Sequence, residues 1–177
     1  MKSKQELVSQ TAENPMRTIK IEKVVISSGA TGAELEKAKK LIGMITNMKP
    51  QVIASTKRIP TFNVRPGLEV GTRATLRGEK AISLLRRLLG AIDNILSSKQ
   101  LSENHFSFGI KEYIEVPGLE YQRDIGIRGF NVTIVFIRKG IRVKRKKIKS
   151  GNLPKKQNIS KEEIIRYMEE NFDTKFK

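Results

Sequence analysis

The chain has 177 residues, with 35 Lys and Arg against 18 Asp and Glu, a formal net charge of +17 and no cysteine. Such self-repulsion is relieved by a polyanion, so nucleic acid is the leading partner and an anionic membrane surface a distant second. The missing thiols exclude disulfides, thiolate nucleophiles and Cys-based zinc sites. Hydrophobic residues make up 38%, which suits one modest core. No segment approaches the ~20 apolar residues needed to span a bilayer. Residues 1–15 contain Glu6 and Glu13 and lack an apolar leader stretch, so neither secretion nor membrane insertion is expected.

Asn14-Pro15 closes a polar N-terminal arm over residues 1–16, because proline disfavours helix in the residue before it. Arg17 to Ile26 is rich in β-branched residues and partly alternating, which predicts a first strand stopped by Ser27-Ser28-Gly29. Leu35, Ala38, Leu41, Ile42, Ile45 and Met48 recur at helical spacing, and Lys49-Pro50 ends that helix. A short strand at Val52 to Ala54 and a long loop through Pro60, Pro66 and Gly67 follow. The next strand, Val70 to Leu76, alternates Val70, Thr72, Ala74 and Leu76 with Gly71, Arg73, Thr75 and then Arg77. One face is expected to pack, and the other can meet phosphate.

Gly78-Glu79 opens a second helix with Ala81, Leu84, Leu85, Leu88, Leu89 and Ile92 on its apolar side. Shorter β-like pieces are expected at Phe106 to Ile110 and Tyr113 to Val116. Phe130 to Ile137 is apolar on both alternating sets and so predicts a central strand. From Ile125 to Lys161 there is no acidic residue. Arg138, Lys139, Arg142, Lys144, Arg145, Lys146, Lys147 and Lys149 form a basic ribbon whose partial alternation at Ile141, Val143 and Ile148 suggests an extension of the sheet edge into RNA. Lysine outnumbers arginine there, which favours phosphate tracking over base reading. Ser160 and Glu163 form a capping-box pattern before a last helix that docks through Ile164, Ile165, Met168 and Phe172.

Catalytic chemistry is poorly supplied. His105 is the only histidine and lies in a polar stretch without a partner. No Gly-rich phosphate loop precedes a helix. Glu112 with Glu115, and Glu169 with Glu170 and Asp173, read as solvated carboxylates among many lysines. No catalytic residue, metal site or cofactor is expected. Arg128-Gly129-Phe130-Asn131-Val132 begins like an RRM signature, but Asn131 and Val132 stand where a small residue and a stacking aromatic belong. An RRM-like, non-ribosomal regulator of single-stranded RNA is the alternative reading.

Several stretches, in order along nearly the whole chain, resemble a known family. They include Asn14-Pro15-Met16-Arg17, Leu35-Glu36-Lys37-Ala38, Lys49-Pro50, Thr75-Leu76-Arg77-Gly78-Glu79, Phe106-Ser107-Phe108-Gly109-Ile110, Pro117-Gly118, Asp124-Ile125-Gly126-Ile127 and Ser160-Lys161-Glu162-Glu163. The chain resembles large-subunit ribosomal protein five in its archaeal and eukaryotic form. That resemblance implies an α+β fold, a curved and mainly antiparallel sheet packed against helices, here with a basic C-terminal extension. The implied division is an arm at 1–16, an RNA-binding core at 17–137, the basic ribbon at 138–159 and a docked helix at 160–177.

The resemblance also implies a non-catalytic role on the cytoplasmic ribosome. The implied partners are 5S rRNA and large-subunit rRNA, neighbouring central-protuberance proteins, small-subunit protein thirteen across an intersubunit bridge, and P-site tRNA. Carried over by position, 5S rRNA contacts fall to Met16, Arg17, Ser27, Ser28, Lys49, Thr56, Thr75 and Arg77. The charge reading adds Arg142, Lys144, Arg145, Lys146 and Lys147. The loop toward P-site tRNA is Arg58 to Gly71, with Arg58, Phe62, Arg65 and Gly67. The chain departs from the family at Ser27 to Gly32 and at Met48, where an Asn with a Gly-Val-Gly run and a Gln are usual.

Overall fold

A computed structural model describes residues 16–177, so the expected arm lies outside the described residues except for Met16. Six strands form one sheet in the order β2-β3-β1-β7-β6-β5, with every neighbouring pair antiparallel. The strands are β1 (Ile19–Gly29), β2 (Gln51–Ala54), β3 (Glu69–Leu76), β5 (Leu101–Ser102), β6 (His105–Ile110) and β7 (Phe130–Arg138). A separate parallel pair joins β4 (Ile95–Leu96) to β8 (Lys175–Phe176). The helices are α1 (Ala33–Thr46), α2 (Glu79–Gly90), a single turn α3 (Arg142–Arg145) and α4 (Lys161–Phe172). The α+β class is as the resemblance implies.

The core lies between one face of the sheet and helices α1, α2 and α4. Val24 and Ile26 of β1, Ala74 and Leu76 of β3, Phe106 and Phe108 of β6, and Phe130, Val132, Ile134 and Phe136 of β7 meet the helices' Leu41, Ile42, Leu85, Leu88, Ile164 and Met168. Phe106 stacks on Phe108 and on Phe136, and Phe136 meets Tyr167 of α4 edge-on at 5.7 Å. These arrangements favour the ring quadrupoles and tie β6, β7 and α4 together. β7 sits between β1 and β6, the central position its apolar alternation predicts.

The structure corrects four local expectations. Ser27-Ser28-Gly29 does not stop β1: all three pair with β3, and Ser27 also with Asn131 of β7, so tertiary pairing overrides turn propensity. α1 ends at Thr46, before Met48, because Asn47 takes the left-handed conformation (φ 51°) and Thr46 Oγ1 bonds Ile42 O at 2.7 Å. Tyr113 to Val116 is not β: residues Tyr113–Glu115 form a 3-10 turn around the buried Tyr113, whose hydroxyl accepts from Gln122 N at 2.8 Å. The basic ribbon does not extend the sheet. β7 stops at Arg138, Gly140 turns at φ 96°, and α3 follows. The chain then folds back, with Gly151 N donating to Val143 O and Arg138 Nη1 to Lys156 O.

Candidate nucleic-acid interface

The sheet's second face is left uncovered by α1, α2 and α4, and only the single turn α3 stands against one end of it, where Arg145 meets Glu22. Because side chains alternate along each strand, packing Val24, Ile26, Ala74, Leu76, Val132 and Ile134 inward leaves Val25, Ser27, Arg73, Thr75, Asn131 and Thr133 outward. Register aligns them in two rows. One runs Gln51, Arg73, Ser27, Asn131, Gly109 across five strands, and the next runs Thr75, Val25, Thr133, Ser107. Arg73 Nε donates to Gln51 Oε1 at 3.2 Å, and Ser107 and Thr133 share a hydroxyl bond of 3.1 Å. Gly109 matters here, since a β-carbon on it would lie 3.2 Å from Asn131 Oδ1. The glycine lets the Asn131 amide lie across β6. The result is a surface of hydroxyls, amides and guanidinium groups, suited to ribose and phosphate oxygens.

Both ends of this face are basic. At the end where β1 finishes, residues 55–68 project between β2 and β3, held at the neck by Ser55 N to Leu68 O and Gly67 N to Ser55 O, each 2.8 Å. Within the loop Ile59 pairs with Val64, which is buried, while Phe62 is 75% exposed beside exposed Arg58 and Arg65. Gly67, at φ 84°, closes the neck in a conformation that glycine adopts freely. Thr56 and Lys49 lie exposed nearby in sequence, at the two ends of β2.

At the opposite end, Arg77 and Lys23 stand near enough to Glu22 for their charges to act on its carboxyl. A bulge in β1 leaves Glu22 between the pairs Ile21–Phe136 and Lys23–Val135. The extra residue switches the alternation, so that Ile19 and Ile21 pack on the core along with Val24 and Ile26. The Glu22 side chain, 6% exposed, accepts from Arg145 Nη2 at 2.6 Å. That hydrogen bond holds its carboxyl below the usual glutamate range against the opposing effect of burial, with the charges of Arg145, Lys23 and Arg77 adding to it. Beneath the folded-back segment lies a cavity of about 450 Å³ whose lining includes Glu22, Asn104, Lys144, Arg145 and Asn158.

Most sequence-predicted contacts thus stand on or around one surface. Ser27 and Thr75 are on it, Arg77 is at its rim, and Arg142, Lys144, Lys146 and Lys147 are exposed beyond one end. Ser28 is buried at 7% and faces the helices, so its side chain is turned away. Met16 and Arg17 are exposed ahead of β1. Arg73, Gln51, Asn131 and Gly109 complete the row, and only Arg73 was legible beforehand, from strand alternation. Phe130 and Phe136, at 4% and 1% exposure, lie under the helices, so the RRM-like reading has no stacking platform here. His105 is exposed, with Nδ1 3.1 Å from the Glu103 carbonyl. Among the described residues no cluster of three or more His, Asp or Glu is placed to hold a metal. No described helix is long and apolar enough to cross a membrane.

Two family models divide the chain between them: one described as ribosomal protein L5 matches residues 14–65, and one for the C-terminus of the same ribosomal family matches residues 69–167. The chain belongs to the ribosomal protein L5 family. Among its L5 relatives, the large ribosomal subunit protein uL5 of Picrophilus torridus is 39% identical over 170 residues, 94% of this chain and 97% of that protein. That of Nanoarchaeum equitans is 38% identical over 161 residues, 89% and 95% of the two chains. That of Archaeoglobus fulgidus is 38% identical over 159 residues, 89% of each. L5 is a structural, non-enzymatic ribosomal family, and this chain is of its archaeal type.

Proposed function

We propose that this L5 protein binds 5S rRNA and adjoining large-subunit rRNA through the open face of its sheet and anchors 5S rRNA in the central protuberance. The observation that carries the reading is the face itself. Along β1, β3, β6 and β7 the carboxylates are Glu22, already engaged by Arg145, and Glu69 at the start of β3, paired with Lys39 of α1 at 3.3 Å, while Ser27, Arg73, Thr75 and Asn131 present donors at strand spacing. Rigid strands hold these donors in fixed register, so phosphates are met by a preformed surface. No turnover is part of the role.

The projecting loop at residues 55–68 supports the second part of the proposal, an approach to P-site tRNA. Phe62 is spared from the core at 75% exposure and is flanked by Arg58 and Arg65, a ring and two cations at the tip of a tethered loop. The bridge to small-subunit protein thirteen and contacts with neighbouring central-protuberance proteins follow from the family resemblance and belong to the same assignment.

Filter binding of folded 5S rRNA at graded salt tests the reading. Log affinity should fall linearly with log salt, by about 0.7 to 0.9 for each phosphate neutralised. The R73Q/R77Q double variant should weaken binding and lower the slope by about 1.5. A flat salt response, or an unchanged slope in the double variant, rejects the open face as the binding surface.

A further inference from the structure

A carboxylate placed where a polyanion docks works against binding by charge alone, yet Glu22 stands at that place. The fold also commits a backbone irregularity to it: the bulge takes residue 22 out of the pairing between β1 and β7. The ion pair it makes is not built as a complete stabilising unit. Glu22 Oε2 is held by Arg145, whereas buried Oε1 has no hydrogen-bond partner. A buried pair with a lone pair left unmatched gains little stability over an apolar replacement.

The other partner explains the arrangement. Arg145 remains 49% exposed while it is held, so one side of its guanidinium stays available to solvent. It belongs to α3, a single turn of four residues without a side-chain cap, too short to persist unaided. Six cations occupy residues 142–149, and they repel one another. Among the described residues, the Glu22 contact is the only ion pair that any of them makes.

We propose that Glu22 is a positioning residue for RNA binding: it fixes the basic turn at residues 142–147 beside the open face, so that removing this negative charge weakens the hold on a folded polyanion. The role rests on the rRNA-binding function proposed above. The cations then form one cradle with Arg77 and Lys23, and the RNA does not have to order them. Charge counting gives the opposite sign, since each carboxylate neutralised adds attraction for every RNA, folded or not.

The test measures full-length wild type, E22Q and the charge-matched E169Q, altered on an exposed position of α4, against a folded 5S rRNA transcript and against poly(U) of the same length. E22Q should lose about three- to tenfold in affinity for the folded RNA, the cost of reordering one or two long side chains on binding. Its affinity for poly(U) should hold or rise, and E169Q should lose nothing on either. The double variant E22Q/R145Q should bind folded RNA no better than R145Q alone, because the clasp is already gone.

E22Q binding folded RNA as tightly as wild type overturns the inference. So does E22Q losing both RNAs in proportion with a lowered Tm, which would make Glu22 a residue of the fold only. Additive recovery in the double variant overturns it as well. Wild type that fails to retain 5S rRNA sinks the function itself and the positioning role with it, an outcome distinct from a failure of E22Q alone.

Discussion

Gly129 leads into β7 directly across the end of β6. A β-carbon at this position would lie 2.6 Å from Lys111 O and 2.7 Å from Ile110 O. Favourable carbon–oxygen approaches begin at about 3.3 Å, so both contacts are too short by more than half an ångström. The obstacles are main-chain carbonyls, which cannot rotate aside as a side-chain end would. Nor can the strand swing away, since Phe130 is paired with Ile110 and its ring is buried at 4% exposure. G129A should therefore cost about 3 kcal/mol, the upper part of the range for overpacking, out of a total of roughly 5–15 kcal/mol for a domain. Gly43 supplies the contrast. It lies inside α1, where the nearest atom to an added β-carbon is 3.9 Å away, so G43A should be neutral or stabilise by up to about 1 kcal/mol through helix propensity. Urea titration followed by circular dichroism, compared at constant m value, reads both shifts. A G129A unfolding free energy within about 1 kcal/mol of wild type would refute the close-approach argument.

Three further outcomes follow from local chemistry. S160A removes a capping box in which Glu163 N donates to Ser160 Oγ at 3.4 Å and Ser160 N donates to Glu163 Oε2 at 3.0 Å; a loss of about 1 kcal/mol in the same titration is expected. Y113F takes the acceptor from Gln122 N beneath a fully buried ring, and should cost about 1 kcal/mol with the fold retained by circular dichroism. Glu22 has a folded pKa below its unfolded one, so its contribution is present above the ordinary glutamate range and is lost as pH falls through the depressed value. The Tm gap between wild type and E22Q should accordingly narrow on acidification below that range, and a gap that stays constant with pH would contradict the assignment.

The elements that alternation and helical spacing specify were legible in the sequence. Val24 with Ile26, Thr72, Ala74 and Leu76 of the β3 alternation, the α2 leucines and the β7 face are buried as their period selects, while Val70 is only half-buried. The signal is local because one face of one element meets one core. What escaped depends on residues far apart. Ser27 to Gly29 read as a turn until β3 supplied partners for all three and β7 a second one for Ser27. Arg145 reads as one cation among many, and its partner Glu22 lies 123 positions away. A bulge leaves no compositional mark, so the parity change at Glu22 is invisible before the register of β1 and β7 is known. The open face was half legible: alternation gives Arg73 and Thr75, but only strand order places them in line with Ser27 and Asn131.

The rows of Ser27, Arg73, Thr75, Asn131 and Thr133 contain no aromatic ring. In the proposed role, a surface that offers hydroxyls, amides and one guanidinium but no aromatic platform would register chiefly where the sugar–phosphate strand runs, and much less the letters it carries. Over evolutionary time an RNA docked as proposed would be free to exchange compensating base pairs, whereas an inserted nucleotide that shifts the path of the strand would be felt at once.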